Sequence, residues 1–441
     1  MKLTIFWTGY AGLVSGTCLA QVGHDVMCID IDASKIDRLN SGEIPIYEPG
    51  LGELVERNMK AGRLKFSTDA EAGIRHGIAI FNAVGTPPDR DNENKADLKF
   101  VKAVAKTFGQ HINEYKVFIN KSTVPVGTGK MCEEIIKREI YAREKDTEFD
   151  VASNPEFLRE GTAVQDFLSP DRIVLGSETS KAKKILDEIY RPFERTHTEI
   201  LHTDITSAEL IKYAANCFLA TKISFINEIA NFSEIAGANI RDIAKWLGMD
   251  PRIWKNFLSA GLGYGGSCLP KDVKALIETG KDMWYDFKII QGADRVNELQ
   301  KKIAVKKLEK ALWNIEGKII SLWGLAFKPE TDDVREAVSM TVIDDLLELW
   351  AAEIRVFDPV AMESMKFFGN RSDNIIYCES NYQTLEDSDA LMLLTEWDEF
   401  LAPDWKSMKK MMRWNLVLDG RNIWNKEIVQ EYWFEYLTIG Q

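Results

Sequence analysis

The sequence predicts an α/β protein in which a doubly wound α/β domain and a second, smaller α/β domain flank a helical middle. Three observations predict it. Short apolar runs alternate with amphipathic segments from residue 1 to about 195, such runs stop between about 203 and 300, and the alternation returns after Gly317. With 441 residues and 45% hydrophobic content, the chain can bury two or three cores rather than one. The expected division is 1–200, 201–312 and 313–441.

In the first part, KLTIF, DVMCID, IAIFNAVG, KVFINKS, FDVAS and RIVLG read as mostly parallel strands. In the middle, SAELIKYAANCFLATKISFINEIANFSEIAG is apolar on nearly every face, which predicts a long helix buried between other elements. A second long helix is expected from Tyr285 past Lys307. The runs KIISLWGLAF, EIRVFDP, ALMLLT and NLVLDG then build a smaller α/β domain to residue 441, so the two α/β parts could be a distant duplication of one architecture.

Composition narrows the function. A net charge of -13 and a pI near 5.1 argue against a general nucleic-acid or anionic-membrane binder, and leave room for a local basic pocket around a phosphorylated small molecule. The six cysteines, Cys18, Cys28, Cys132, Cys217, Cys268 and Cys378, lie far apart, with no CxxC and no metal-ligand spacing to the five histidines. Reduced thiols in a cytoplasmic protein without a metal site are expected. The first residues enter a strand without a signal-peptide pattern, and no apolar run approaches the ~18 residues of a membrane helix.

The stretch IFWTGYAGLVSG reads as strand, turn and helix start, with Gly9 and Gly12 as the last two glycines of a GxGxxG turn. Trp7 stands at the first. The next strand ends in CIDID, and Asp30 is at the right distance to accept adenosine ribose hydroxyls, favouring NAD over NADP because a carboxylate repels a 2′-phosphate. In SNPEFLREGTAVQDF, Glu156 and Glu160 share a face if the segment is helical, either as an acid–base pair or as a solvated helix start. Lys212 and Asn216 have the same spacing on the apolar helix, where a lysine is expected to snorkel, find a partner or carry a depressed pKa. GLGYGGSCLPKD places Cys268 directly after a run of glycines and just before Lys271 and Asp272. Flexible backbone amides can stabilise an oxyanion and a cation a thiolate, so Cys268 is a candidate nucleophile; a buried structural cysteine would not need this setting. GTPPD (85–89) and KSTVPVGT (121–128) each follow a strand, where open α/β sheets bind ligands, or else are ordinary proline and glycine turns.

Together, GYAGLVSG, IPIYEPGL, VGTPPD, NKSTVPVGT, SNPEFLREG, PDRIVLG, ELIKYAANCFLATKISFINEIA, GYGGSCLPKD, GLAFKPETDDVRE, DPVA, TEWDEF and DGRNIW closely resemble the UDP-glucose/GDP-mannose dehydrogenase family over essentially the whole chain. The resemblance implies an N-terminal Rossmann-like NAD domain, a central all-helical dimerisation region and a C-terminal Rossmann-like nucleotide-sugar domain. It implies a four-electron oxidation of UDP-glucose to UDP-glucuronate by two NAD and water, with GDP-mannose or a UDP-N-acetylhexosamine as alternative family substrates. Cys268 would attack the C6 aldehyde to give a thiohemiacetal, then a thioester. Lys212, with Asn216, matches the stabiliser of oxyanionic intermediates, Asp272 the carboxylate that organises water, Thr123 a water or hydroxyl partner, and Glu156 the acid–base group of hydrolysis. Gly9, Tyr10, Gly12, Asp30, Lys35, Thr86, Thr123, Glu160 and Arg335 would contact NAD. Glu156, Phe157, Leu158, Lys212, Asn216, Arg252, Phe257, Gly265, Lys328 and Arg421 fall on substrate-contact positions, with Arg252 serving the neighbouring subunit of a homodimer.

The family has glycine where Trp7 stands, and the same holds for Trp246, Trp254, Trp284, Trp313, Trp350 and Trp433. Trp350 and Trp433 also read as glycine sites on physical grounds, each lying between a helix end and a strand, where a left-handed residue is favoured. Drift would not repeatedly choose the largest side chain for places that suit the smallest. A source that reads UGA as glycine, translated with UGA as tryptophan, would produce the pattern; genuine tryptophans would point to a non-catalytic homologue.

Overall fold

The apolar runs of the first part become the strands β1 (Lys2–Phe6), β2 (Asp25–Ile29), β3 (Leu64–Ser67) and β4 (Ala79–Asn82), then a short antiparallel pair, β5 (Pro88–Asp89) and β6 (Lys95–Ala96), then β7 (Lys116–Asn120), β8 (Phe149–Ser153), β9 (Arg172–Ser177) and β10 (Glu199–Thr203). The computed structural model describes all residues except 90, 91, 93, 94 and 197 and the side chains of 195 and 196. It divides into two compact units, one of residues 1–215 and 278–285, the other of 216–277 and 286–441.

In the first unit the sheet order is β10-β9-β8-β7-β4-β1-β2-β3. Its pairs are parallel except β8 with β9. Successive side chains on a strand point to opposite faces, so each strand feeds two cores. Ala79, Phe81, Val117 and Ile119 pack with Leu3 and Ile5 in one, while Ile80 and Phe118 pack with Phe6 in the other. Burial on both faces is why these strands read as continuous apolar runs.

The second unit holds β11 (Ile319–Trp323), β12 (Glu353–Phe357), β13 (Ile375–Tyr377), β14 (Ala390–Leu393), β15 (Leu416–Asp419) and β16 (Glu435–Leu437) in the order β13-β12-β11-β14-β15-β16, parallel throughout. Counted along the chain, its order is 3-2-1-4-5-6. The central strands of the first sheet, β3-β2-β1-β4-β7-β8, run the same way.

Two helix expectations are corrected. The long helix forms at Ile205–Ala236, but it is not buried all round: Phe218, Phe225 and Phe232, spaced at seven residues, are exposed. The helix expected from Tyr285 past Lys307 is two, Lys288–Lys301 and Ile303–Leu312, broken at Lys302. The break re-aims the apolar face. Ala304, Val305, Leu308 and Leu312 enter the core of the second unit, whereas Asn297 and Gln300 before the break turn to polar partners in the glycine run.

Candidate active site

In the first unit, β1 ends at the turn that starts the helix Tyr10–Gln21, with Gly9 as its N-cap. The turn lies between β4 and β2, where the strand order reverses and open sheets bind ligands. A β-carbon on Gly12 would run into the carbonyl oxygen of residue 7, so this glycine lets helix and strand approach closely. Asp30, buried at the end of β2, accepts from Thr8 N (2.9 Å) and Thr8 Oγ1 (2.8 Å), from Asp32 N (3.1 Å) and from Lys35 Nζ (3.3 Å). Burial pushes its carboxyl up, but these donors outweigh burial and hold it below the usual range. A helix N-terminus with close-packed glycines and a fixed carboxylate fits a dinucleotide. The Trp7 indole does not. Its ring fills the space directly beside Gly9, where a pyrophosphate needs bare backbone.

Around the same turn, Tyr10 Oη donates to Glu48, and Gly161 N donates to both (2.9 and 2.8 Å). Glu160 is near enough for its charge to disfavour ionisation of Tyr10, after burial and Glu48. Thr86 Oγ1 donates to Thr123 O (2.9 Å), tying GTPPD to KSTVPVGT. The segment carrying Glu156 and Glu160 is not helical, so the two carboxylates do not share a helix face. Glu156 instead accepts from Leu158 N (2.6 Å), a local bond that competes with helix. Lys212 on the long helix has found a partner rather than a route to solvent: Nζ is 3.5 Å from Glu156 Oε1 and 5.1 Å from the Phe157 ring centroid. Beside them, Lys121 is buried and donates to Asn154 Oδ1 (3.0 Å). Burial drives its ammonium down to about 8, with Glu156 opposing and Lys212 adding to the fall.

In the second unit, Asp272 N donates to Cys268 O (3.0 Å), so Cys268 opens the helix Leu269–Asp282. A helix N-terminus with a lysine nearby favours negative charge on sulfur. Cys268 is partly exposed, whereas the other five cysteines are buried, and burial pushes Cys18, Cys28, Cys132 and Cys217 up to about 12. The buried Asp272 carboxylate accepts from Asn216 Nδ2 (2.6 Å) and from Lys271 Nζ (2.5 Å). Asn216, Lys271, Asp272 and Cys268 thus form one connected group. The glycine run before it is clamped by buried amides: Asn227 Oδ1 accepts from Gly261 N (2.9 Å), Gln300 Nε2 donates to Gly261 O (2.6 Å), and Asn297 bonds both the N and O of Tyr264 (2.8 and 3.1 Å). A β-carbon on Gly265 would strike the Glu336 carbonyl, and Gly266 N donates to Arg335 O (2.9 Å).

The remaining expected residues are also in this unit, Arg335 and Arg421 against the glycine run. Arg335 forks onto Asp333 through Nε and Nη2 (both 2.8 Å). Arg421 Nε donates to Leu394 O (2.6 Å), and Lys328 Nζ lies 5.7 Å from the Phe327 ring centroid. Arg252 is exposed and bonded to Asp250 (Nε to Oδ1, 3.0 Å), and Phe257 is exposed with φ of 65°. Among the described residues no group of three or more His, Cys, Asp or Glu could hold a metal ion.

The chain matches the UDP-glucose/GDP-mannose dehydrogenase family in three consecutive parts: the NAD binding domain over residues 1–194, the central domain over 206–299 and the UDP binding domain over 321–426. The chain belongs to the UDP-glucose/GDP-mannose dehydrogenase family. Within that family it is 45% identical over 441 residues to UDP-glucose 6-dehydrogenase TuaD of Bacillus subtilis strain 168, covering 100% of this chain and 93% of that one. It is 41% identical to UDP-glucose 6-dehydrogenase of Pseudomonas aeruginosa, covering 100% and 98%. Among solved structures, a UDP-glucose dehydrogenase from Pyrobaculum islandicum superposes with a TM-score of 0.90 at 36% identity, covering 100% and 97%.

For this family member, residue-level reading missed Lys121 with Asn154, Glu48, and the Asn227–Asn297–Gln300 clamp. A lysine at the end of an apolar strand was a signal for Lys121. The clamp gave none, because a polar residue on an amphipathic helix looks solvated until its neighbours are known.

Proposed function

We propose that this chain oxidises the C6 hydroxymethyl group of UDP-glucose to the carboxylate of UDP-glucuronate, using two NAD and one water. When bound, NAD would supply the hydride acceptor that each of the two oxidations requires. The chain's own residues do the rest. The Gly9–Gly12 turn, Tyr10, Asp30, Lys35, Thr86, Thr123, Glu160 and Arg335 are assigned to the cofactor. The Cys268 sulfur adds to the C6 aldehyde, and the carbonyl oxygen takes a proton to give a thiohemiacetal. Loss of hydride and of that proton leaves a thioester, which water cleaves to carboxylate and thiol. Lys212 and Asn216 steady the negative oxygen, Asp272 and Thr123 orient the water, and Glu156 carries its proton. Phe157, Leu158, Arg252, Phe257, Gly265, Lys328 and Arg421 are assigned to the nucleotide sugar.

The observation that carries this reading is Cys268 at a helix start, joined to an Asp272 that holds Asn216 and Lys271. A covalent sulfur explains how the substrate is retained while the first NADH leaves. The test is the end-point yield of NADH per sugar nucleotide. About two per UDP-glucose are expected, with less from GDP-mannose or a UDP-N-acetylhexosamine. A yield of one would remove the second oxidation. The indole beside Gly9 favours a second reading, a nucleotide-sugar-binding protein blind to NAD, which NAD would fail to protect against thermal unfolding.

The partner proposed for the Phe218, Phe225 and Phe232 stripe is a second copy of the chain, giving a homodimer. Among the described residues no helix is long and apolar enough to cross a membrane. The cytoplasm is the proposed location, where thiols stay reduced.

A further inference from the structure

The twelve tryptophans fall into two populations. Among the described residues, twelve that are not glycine have φ in the left-handed region, and six of these are tryptophan: Trp7 (86°), Trp254 (64°), Trp284 (60°), Trp313 (64°), Trp350 (62°) and Trp433 (65°). The other six are shared among all remaining residue types: Glu144, Phe257, Glu330, Glu336, Asp387 and Asn422. A bulky residue in this region is an outlier, because its β-carbon crowds the following carbonyl. Half of one residue type in that state is not a packing accident.

The backbone around them is that of glycine sites in the same chain. Gly23, Gly42 and Gly62 each close a helix with paired bonds, one from the glycine to the residue three before and one from the next residue to the residue five before it. For Gly62 these run from Gly62 N to Met59 O (2.9 Å) and from Arg63 N to Asn58 O (3.0 Å). Trp284 closes the helix Leu269–Asp282 with the same pair, Trp284 N to Lys281 O (3.0 Å) and Tyr285 N to Gly280 O (2.8 Å). Trp350 closes Val338–Glu348 likewise, Trp350 N to Leu347 O and Ala351 N to Leu346 O (both 3.1 Å). Trp313 and Trp433 also follow helix ends, and Trp7 occupies the first position of the Gly-x-Gly-x-x-Gly turn.

Side-chain environment sets five of the six apart from four core tryptophans, while Trp246 and Trp414 are exposed without a left-handed φ. Trp254, Trp284, Trp313, Trp350 and Trp433 are 65–98% exposed. Trp323, Trp397, Trp405 and Trp424 have φ outside the left-handed region and are 0–7% exposed. They are built in as tryptophans: Trp323 stacks on Phe400 (5.1 Å), Trp405 meets Trp424 edge-on (5.1 Å), and the indole N–H groups of Trp323, Trp397 and Trp424 donate to Asn381 O, Asp358 Oδ2 and Phe400 O (2.9, 3.0 and 2.7 Å).

We propose that positions 7, 254, 284, 313, 350 and 433 carry glycine in the protein as its source makes it, each written by a UGA codon that the source reads as glycine, while the four core tryptophans are written by UGG. Ordinary substitution would place tryptophan without regard to φ. A recoded UGA places it at glycine sites alone. At position 7 the same assignment removes the indole from beside Gly9. Trp246 lies in the helix Ile240–Gly248 and Trp414 has Lys318 Nζ 4.4 Å from its ring centroid, and neither has φ in the left-handed region, so the backbone asks for glycine at neither.

The deciding experiment is peptide mass spectrometry of the protein isolated from its own source, read beside the codons of its gene. Expected are glycine and UGA at the six positions, with tryptophan and UGG at 323, 397, 405 and 424. Tryptophan in the peptides at the six positions overturns the proposal, as does UGG in the gene there. An independent arm compares melting temperatures of the chain as written and a form with all six tryptophans changed to glycine. The glycine form is expected to melt several degrees higher; equal or lower melting would count against the proposal.

Discussion

At the scale of single residues, the same substitution is expected to act in opposite directions at two tryptophans. An L-residue in the left-handed region costs about 1–2 kcal/mol, so Trp350→Gly should stabilise the chain by about 1 kcal/mol, read from denaturant midpoints. Trp323→Gly empties a packed site and leaves Thr384 and Asn381 without their indole donor, and should cost about 3–5 kcal/mol. If Trp350→Gly destabilised as well, side-chain contacts rather than backbone conformation would govern position 350. For the chemistry, Cys268→Ser should lower kcat by at least about a thousandfold, since a hydroxyl in place of the thiol is a far weaker nucleophile at neutral pH. Turnover of Cys268→Ser near the unsubstituted rate would remove sulfur from the reaction.

At the scale of elements, the long helix contributes more than Lys212 and Asn216. Glu209, one turn before Lys212, accepts from Gly127 N and Gly129 N (both 2.7 Å) at the start of the helix Thr128–Ala142. Burial pushes its carboxyl up to about 7, against the pull of those two amides. In the folded chain it therefore keeps a proton that the unfolded chain has already lost above about 4.5. Its contribution to stability is complete below that value and is lost as pH rises through 7. Melting temperature should accordingly fall between pH 5 and pH 8 through this group, and Glu209→Gln should flatten that part of the profile. An unchanged slope would mean that Glu209 is ionised throughout.

At the scale of the whole molecule, the Phe218, Phe225 and Phe232 stripe is too apolar and too regular for a face left in water. Light scattering should give twice the chain mass, and changing all three to serine should halve it. A monomeric starting protein would show that the stripe serves another partner.

Sequence alone determined the class of fold, two mostly parallel sheets, the glycine turn with Asp30, and the glycine run leading to Cys268. These are local: strand runs, turn chemistry and motif spacing are written over a few residues, and the physical reason each residue type is needed acts within that span. Tertiary structure decided the rest. The break at Lys302, the non-helical course of Glu156, the pairing of Lys212 with Glu156 and the clamp of Asn297 on Tyr264 depend on residues far apart in sequence, and no local propensity encodes which distant group will satisfy a buried polar atom. The tryptophans show both sides. Their misfit to glycine sites was legible at a few positions from the motifs, but only the folded backbone, through the sign of φ, divided the six that strain the chain from the four that hold its core together.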